Sequence, residues 1–394
     1  MNDSYESSRQ EARARLRELL RYLLWLGSVG FGGPIALVGY MQRDLVERRQ
    51  LVTPAEYRDG LALAQLAPGP LAAQLAMYLG WVRGGATGTT LAGVAFVAPS
   101  FVMVLALSAA YVRFGGLPWM QGAFHGIGAA VIAIIARSAV RLARMTLGGN
   151  RLLWGIFAAC AITTAWREQE FIVLIAACGL VAMLARPSGR EGPSRGGTII
   201  APPPIITSKA IMLLSPAALV PGATVLRIFA YFAEAGVVVF GSGLAIVPFL
   251  HGGVVQQYHW LTEQQFLDAI AVSMITPGPV VITVAFIGYM VAGVAGATAA
   301  ALGVFTPVWL IVLLAAPQFH RVADRPRVKA FVRGVTAAAT GAIAGAAIVL
   351  GRRAVVDAAT LLICAATFAI LMLPRKVPEF LVILVAGLIG IAAT

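Results

Sequence analysis

The sequence predicts an all-α polytopic membrane protein with two homologous halves and about 10–12 membrane segments. Of its 394 residues, 59% are hydrophobic and only 12% are charged, whereas a soluble globular chain has roughly 25% charged residues. A soluble enzyme is therefore excluded. Apolar stretches approach or exceed the roughly 20 residues with which a helix crosses a bilayer: 19–41, 91–112, 122–136, 152–165, 228–250, 298–317, 335–350 and 380–394.

The net charge of +13 does not indicate nucleic-acid binding. The basic residues lie in short loops between apolar stretches, where they mark the cytoplasmic side of a membrane. The three cysteines lie within apolar stretches and form no CxxC motif, so neither a disulfide framework nor a metal cluster is expected. We expect no cofactor, and a lipid bilayer as the surroundings.

An internal repeat divides the chain into two halves. Residues of the first half recur in the second at one nearly constant spacing, with little need for gaps. The matches include Gly32 with Gly241, Asp59 with Asp268, Pro68-Gly69-Pro70 with Pro277-Gly278-Pro279, and Glu170-Phe171 with Glu379-Phe380.

The repeat predicts four regions. Residues 187–224 are rich in Pro, Gly and Ser, which favours an extended linker; an extra crossing at 210–220 is the alternative. The predicted regions are a cytoplasmic tail (1–15), a first transporter repeat (16–186), the linker (187–224) and a second transporter repeat (225–394).

Loop charge indicates that the two halves have opposite orientations. The loop 43–58 holds four arginines and its partner 251–268 holds no Lys or Arg, whereas 321–333 holds five basic residues and its partner 113–125 holds one. Under the positive-inside rule this predicts an inverted-topology repeat. Because 9–21 and 43–58 both have cytoplasmic character, 19–41 is either a full span or a re-entrant hairpin.

Each half has two Gly/Pro interruptions of apolar sequence, where helices should break. Lipid cannot satisfy the freed backbone groups, and breaks at matching positions of two halves point to a transporter's binding site. Kinks for close helix packing are the alternative interpretation. The predicted substrate-binding residues are Gly32, Gly33, Pro34, Pro68, Gly69 and Pro70 in the first half, and Gly241, Ser242, Gly243, Pro277, Gly278 and Pro279 in the second.

A helix that starts after Pro-Gly-Pro presents unpaired N–H groups and a positive dipole end, which attract an anion. Gln74 and Thr283 lie one turn further on and could add side-chain donors. Both residues complete the predicted anion site.

Three carboxylates in or beside apolar sequence are candidates for proton coupling. Glu234 precedes the second-half Phe-Gly break, and a carboxylate there must be protonated, paired or turned to a cavity. Asp59 and Asp268 recur ahead of each Pro-Gly-Pro. The alternatives are a structural ion pair for Glu234 and a helix-start role for the two aspartates. Arg137, Arg141 and Arg144 line one helix face, either as an electropositive approach for anions or as snorkelling side chains.

Enzyme motifs are absent from the sequence. It contains no HExxH, GxSxG or GxxxxGK[ST] motif, so no enzymatic activity is expected and ATP cannot drive transport directly. Uphill transport would then require an ion gradient.

The motifs FGGP at 31–34, APGPLAAQLAMYLGW at 67–81, FGSG at 240–243 and TPGPVVITVAFIGYMVAGVAGA at 276–297 resemble those of the chromate ion transporter family, in its long two-domain form. The chain differs from the family in two places. Leu37 stands where a His is common, and Gly241-Ser242-Gly243 replaces three glycines.

This resemblance implies a multi-pass protein of the cytoplasmic (inner) membrane that exports chromate and confers chromate resistance. We expect a midplane site shared by the halves, with H+ as the coupling ion. An uptake or exchange carrier for sulfate or another small oxyanion is the alternative, because chromate and sulfate are both tetrahedral dianions. A membrane-embedded enzyme or a non-transporting scaffold is a second alternative, from a different functional class. The oligomeric state is left open, with a homodimer as one arrangement.

Overall fold

A computed structural model describes residues 2–114, 117–167, 172–185, 221–238, 240–241, 243–319, 325–373 and 377–393. Within these ranges nearly every residue is helical, so the predicted all-α architecture is confirmed. The predicted linker lies outside the described residues except for 221–224, which already belong to a helix.

The described helices form two equivalent sets of seven. The first is α1 (Asn2–Val29), α2 (Gly33–Met41), α3 (Pro54–Leu66), α4 (Leu71–Phe114), α5 (Pro118–Thr146), α6 (Arg151–Arg167) and α7 (Ile172–Leu184). The second is α8 (Pro221–Val238), α9 (Ile246–Leu250), α10 (Glu263–Ile275), α11 (Thr283–Ala315), α12 (Pro326–Ala354), α13 (Ala358–Met372) and α14 (Glu379–Ala393). Seven-residue π-helices, Gln42–Arg48 and His251–Gln257, extend α2 and α9.

The first hairpin of the chain consists of α1 and α2. The Tyr22 hydroxyl donates to Asp44 Oδ2 at 3.3 Å, and Arg49 pairs with Glu18. Since later residues of α2 and its extension contact progressively earlier residues of α1, the two run antiparallel. Stretch 19–41 is therefore a hairpin and not a continuous span, because the backbone reverses where Gly32 and Gly33 adopt positive φ.

A second hairpin is formed by α3 and the first part of α4. Arg83 donates to Glu56 Oε2 at 2.7 Å and to the Leu51 carbonyl, while Gly60 packs on Tyr78. Burial raises the pKa of Glu56, but the hydrogen bonds from Arg83 and Thr53 hold that pKa below its usual value. The chain thus reverses at 67–70, and the base of the hairpin is fixed by an ion pair.

The long helices α4 and α11 each contain a further reversal. Gly85 and Gly293 have φ values of +57° and +59°, which favour glycine. Beyond them the chain folds back so closely that Gly80 lies on Gly88, and Gly288 on Gly296. Glycine is required because a Cβ at Gly80 or Gly288 would meet backbone atoms of the opposite segment.

The second half repeats the first hairpin. The Tyr231 hydroxyl of α8 donates to the Phe249 carbonyl at 3.0 Å, and the two rings stack. Stretch 228–250 was predicted as an apolar span. It is divided between α8 and α9, because the backbone leaves the helix at Phe240–Gly241.

By length and composition, four described helical stretches could cross a membrane: Leu71–Phe114, Trp119–Thr146, Val280–Gln318 and Pro326–Ala354. Shorter apolar helices of 10–17 residues are Arg151–Trp166, Val173–Leu184, Ala358–Met372 and Glu379–Ala392. The number of crossings stays a prediction.

The hairpins of the two halves approach one another from opposite ends of the molecule. The part of α4 that follows the reversal starts beside Gly80, at the base of the first-half hairpins. Ser100 then donates to the Pro277 carbonyl at 2.8 Å, and Tyr111 donates to Asp268 at 2.6 Å, part-way toward the second-half base. The breaks at 30–33, 67–70, 240–241 and 276–279, the last between α10 and α11, therefore lie together at the centre, and these four breaks are called the tips.

The remaining helices are exchanged between halves. Helix α5 packs on α13 and α14, and the equivalent α12 packs on α6 and α7. Close approach depends on small residues: Gly126 lies against Ala386 and Gly390, and Gly334 against Gly179 and Ala182. Each half thus completes the packing of the other.

Candidate functional site

Each Pro-Gly-Pro tip contacts the Gly-rich break of the other half. Residues 69–70 pair with 240–241 as a parallel two-residue ladder, with Gly69 opposite Phe240 and Pro70 opposite Gly241. On the other side, the Gly278 N–H donates to the Gly30 carbonyl at 2.9 Å. The breaks therefore satisfy part of one another's backbone groups across the two halves.

Glycine is required at both Pro-Gly-Pro centres. Gly69 and Gly278 have φ values of +136° and +102°. A Cβ at Gly69 would meet the Gln74 amide, and one at Gly278 would meet Ser100 Oγ. Close backbone contact between the halves would be lost with any larger residue.

A small cavity opens where the first Gly-rich break meets the second Pro-Gly-Pro. Three helix starts face it: Gly33 of α2, Val280 in the 3₁₀ turn that leads into α11, and Glu379 of α14. Helix starts stabilise negative charge. The remaining lining residues are Gly30, Phe31, Gly32, Ser273, Met274, Thr276, Gly278 and Phe380.

An ion pair closes one wall of this cavity. The Glu379 carboxylate accepts a hydrogen bond from Arg137 Nη1 at 2.9 Å, and each side chain is 26% exposed. Beside it, the Phe31 and Phe380 rings lie 4.6 Å apart. Arg137 therefore contacts the cavity through its ion pair with the lining residue Glu379.

The hydroxyls in and near this cavity donate to their own helices. Ser273 donates to Ile270 O, Thr276 to Val272 O and Ser273 O, and Thr283 to Val280 O. The Ile282 amide, in the first turn after the second Pro-Gly-Pro, donates to the Pro279 carbonyl at 3.0 Å and is therefore not one of the unpaired N–H groups predicted for that turn. In this conformation these hydroxyls are therefore engaged by carbonyls of their own helices.

Gln74 is fully buried beside the first Pro-Gly-Pro. Its Nε2 donates to the Pro68 carbonyl at 2.6 Å, which fixes the orientation of the amide. Oε1 has no donor among the described residues. This side chain supports the tip of its own hairpin.

The other predicted binding residues lie at the tips. Pro34 occupies the first turn of α2, and Gly243 begins a short 3₁₀ turn that packs on Val280 and Val281. Ser242 lies outside the described residues. Leu37 is buried against Gly30 inside the first hairpin.

The predicted coupling carboxylates lie apart from the cavity lining. Asp268 is buried and accepts hydrogen bonds from Tyr111 at 2.6 Å and Gln264 at 2.9 Å. Glu234 is half-buried on α8 near Tyr258, and Asp59 is half-buried on α3 near Tyr78. Among the described ranges, no group of His, Cys, Asp and Glu is arranged to hold a metal ion.

Sequence reasoning assigned no role to Glu379 or Ser100. Glu379 was recognised only as a repeated Glu-Phe pair, and that repetition was the available signal. For Ser100, the equivalent position in the second half is Val308, which contacts Gly69 in the same way. Nothing in the sequence marks Ser100 as a contact of both halves.

The comparisons with known proteins identify one family. A family model described as "Chromate transporter" matches twice, at 17–183 and 226–391. The chain is 52% identical to the "Chromate transport protein" of Cupriavidus metallidurans, over 96% of this chain and 93% of that one. It is 51% identical to the "Probable chromate transport protein" of Synechococcus elongatus, over 95% of each.

A more distant relative is the "Chromate transport protein" of Pseudomonas aeruginosa, which is 32% identical over 95% of this chain and 91% of that one. No solved structure shows a significant match. The two-half architecture follows from the double match of the family model. The chain belongs to the chromate transporter family.

Proposed function

We propose that this protein transports chromate out of the cytoplasm across the inner membrane, driven by the proton gradient, and so confers chromate resistance. Family membership supports chromate as the substrate. The observation that carries the proposal is the contact between Gly278 and Gly30, which joins one break from each half around a cavity with three helix starts. Such a site can bind a small anion without a resident cation.

The halves are proposed to lie inverted in the membrane, so that the central tips form a midplane site. Loop charge and the approach of the hairpins from opposite ends support this arrangement. The first hairpin would then be re-entrant, with both its ends in the cytoplasm. Alternating access would open the tips to one side at a time.

Proton coupling is proposed to involve Glu234, Asp59 and Asp268. Asp268 has the support of burial and of two hydrogen bonds that include Tyr111 of the other half. Protonation of Asp268 would therefore change the contact between α10 of the second half and α4 of the first half.

An uptake or exchange carrier for sulfate or a related oxyanion is the second candidate. One observation favours it: the Ser273 and Thr276 hydroxyls at the cavity donate to carbonyls of their own helix, so the groups left for an anion are backbone N–H groups at helix starts. These recognise charge and size more than the identity of the central atom, so chromate and sulfate would bind with modest discrimination.

The test is flux of labelled chromate and sulfate in proteoliposomes with imposed pH gradients. The membrane potential is clamped, because it alone drives each charge with about 2.3 kcal/mol per 100 mV. Chromate flux accelerated by a gradient directed as in cells, with slower sulfate flux, supports export. Preferential sulfate flux favours the second candidate, and a lack of both fluxes overturns the proposal.

A further inference from the structure

We propose that a groove between α4 and α11 binds one acyl chain of a bilayer lipid, and that this chain packs against both halves of the protein. The groove has a volume of about 320 Å³ and continues the contact between the two halves along these helices. It shares no described lining residue with the cavity at the tips. This binding site is therefore separate from the proposed anion site and does not depend on which anion is transported.

The two halves contribute equivalent residues to the groove. Six described lining residues of α4, between Thr90 and Phe101, recur at the constant spacing of the repeat as six lining residues of α11, between Thr298 and Trp309. Met77 is the other described lining residue. A groove built from equivalent residues lies on the axis that relates the halves, so its occupant contacts both halves at once.

The groove opens toward the hydrocarbon of the membrane. Val94 and Leu302 are equivalent lining residues, and they are 58% and 57% exposed. Both belong to helical stretches that are long and apolar enough to cross a bilayer. The medium at the opening is therefore lipid.

The lining offers few polar groups to an incoming molecule. Trp309 Nε1 donates to Thr90 Oγ1 at 3.0 Å. The Thr90 and Thr298 hydroxyls donate to carbonyls of their own helices, and Thr306 supplies the other hydroxyl of the described lining. Apolar cavities of about 150 Å³ stay dry and bind benzene-sized molecules. This larger groove is therefore suited to a hydrocarbon chain.

The length of the groove also fits one acyl chain. Its lining follows each helix for about 16 Å, at a rise of about 1.5 Å per residue. This is close to half of the roughly 30 Å hydrocarbon core, the depth that the chains of one leaflet fill. An α-helix of the same length, about 10 Å across with its side chains, has several times the volume of the groove. A helix of a second copy could thus cover the groove but not fill it.

An acyl chain in the groove would lie directly beside the contacts between the halves. Ser100 and Val308 each contact the Pro-Gly-Pro tip of the opposite half, and the residues that follow them, Phe101 and Trp309, line the groove. The chain supplies dispersion contacts that the walls of an empty groove would lack. It therefore stabilises the spacing of the two helices that carry these contacts.

The experiment measures quenching of Trp309 fluorescence by phospholipid with bromine atoms at the middle of each acyl chain. The full-length parent protein retains Trp309 alone, with the other tryptophans replaced by Phe, and is reconstituted in vesicles of this lipid. Ala98→Phe fills the groove from α4, and Ala109→Phe is the matched control, since Ala109 is exposed on α4 outside the groove. A second protein that retains Trp25 alone reports lipid outside the groove, because Trp25 is 52% exposed on α1.

We expect brominated lipid to quench Trp309 in the parent, and Ala98→Phe to remove most of this quenching, because the added ring excludes the acyl chain from the groove. Ala109→Phe should leave the quenching of Trp309 unchanged. Trp25 should be quenched equally with and without Ala98→Phe. Should Ala98→Phe not fold, Ala301→Phe fills the same groove from α11.

Equal quenching of Trp309 in the parent and in the groove-filling variant would show that lipid reaches Trp309 only from outside the groove, and would overturn the proposal. Unquenched Trp309 beside a quenched Trp25 would overturn it as well, because a second copy or another part of the chain would then cover the groove. Chromate flux is not part of this readout, so the lipid site and the proposed function can fail independently.

Discussion

At the scale of single residues, two glycines decide whether the halves can meet. Gly69 and Gly278 combine positive φ with contacts that leave no room for a Cβ. Both lie at centres of Pro-Gly-Pro, and both contact a residue at the same equivalent position, Val308 for one and Ser100 for the other. Glycine is thus required at both positions for two reasons: the local backbone conformation, and the close contact with the other half.

We therefore expect Gly69→Leu and Gly278→Leu to lower chromate flux by more than about tenfold while membrane insertion is retained, because backbone approach is lost but the apolar helices are not. The measurement is flux per inserted protein. Gly155→Leu is the control, since Gly155 is exposed on α6 with open space around it. Normal flux in both tip variants would remove the tips from the substrate site.

Glu234 supports a separate prediction. Its half-buried position, six residues before the second-half tip, is suited to a proton relay. Glu234→Gln should still bind chromate, but an imposed pH gradient should no longer accelerate flux. Unchanged gradient-driven flux would make this side chain structural.

At the scale of elements, the breaks could be predicted and their partners could not. Gly and Pro interrupt helices for local reasons, so the breaks at 30–34 and 67–70 follow from the sequence. Which break contacts which depends on contacts between distant parts of the chain. A single sequence holds no signal for the pairing of Gly278 with Gly30, nor for the ion pair of Glu379 with Arg137.

The reversals inside α4 and α11 were also missed. The segment 82–90 is rich in Gly and Thr, but glycine within a membrane helix is common, so the sequence does not distinguish a reversal there from a local kink. The structure shows instead that Gly80 and Gly288 allow two antiparallel segments to touch.

Gly288→Val should therefore lower the unfolding temperature in detergent, because a Cβ there meets the Gly296 carbonyl, and overpacking costs about 1–3 kcal/mol. Thermal unfolding followed by size-exclusion chromatography measures the effect. Gly155→Val should leave the unfolding temperature within error of the wild type. Equal stability of the two variants would contradict the close approach at the reversal.

At the scale of the whole molecule, the equivalence of the halves extends to unusual backbone. Gln50 and His259, at matching base turns, both have φ of +51°. Both belong to loops whose charges differ sharply, four arginines in 43–58 against no basic residue in 251–268. Equal structure with unequal charge is expected when evolution sets orientation through loop residues alone.

Single cysteines at Gln50 and His259, in a background without Cys160, Cys178 and Cys364, should test the sidedness. A membrane-impermeant reagent should label the His259 position in intact cells and the Gln50 position only after the membrane is opened. Labelling of both from one side would refute the inverted repeat and the shared midplane site.

The exchange of helices between the halves has a consequence for biosynthesis. Because α5 packs on α13 and α14, the first half has no complete packing surface of its own when it leaves the ribosome. Its helices remain incompletely packed in the bilayer, and accessible to proteases, until α13 and α14 have been inserted. Truncation ahead of α14 should therefore leave the first half open to proteolysis, although every one of its own residues is present.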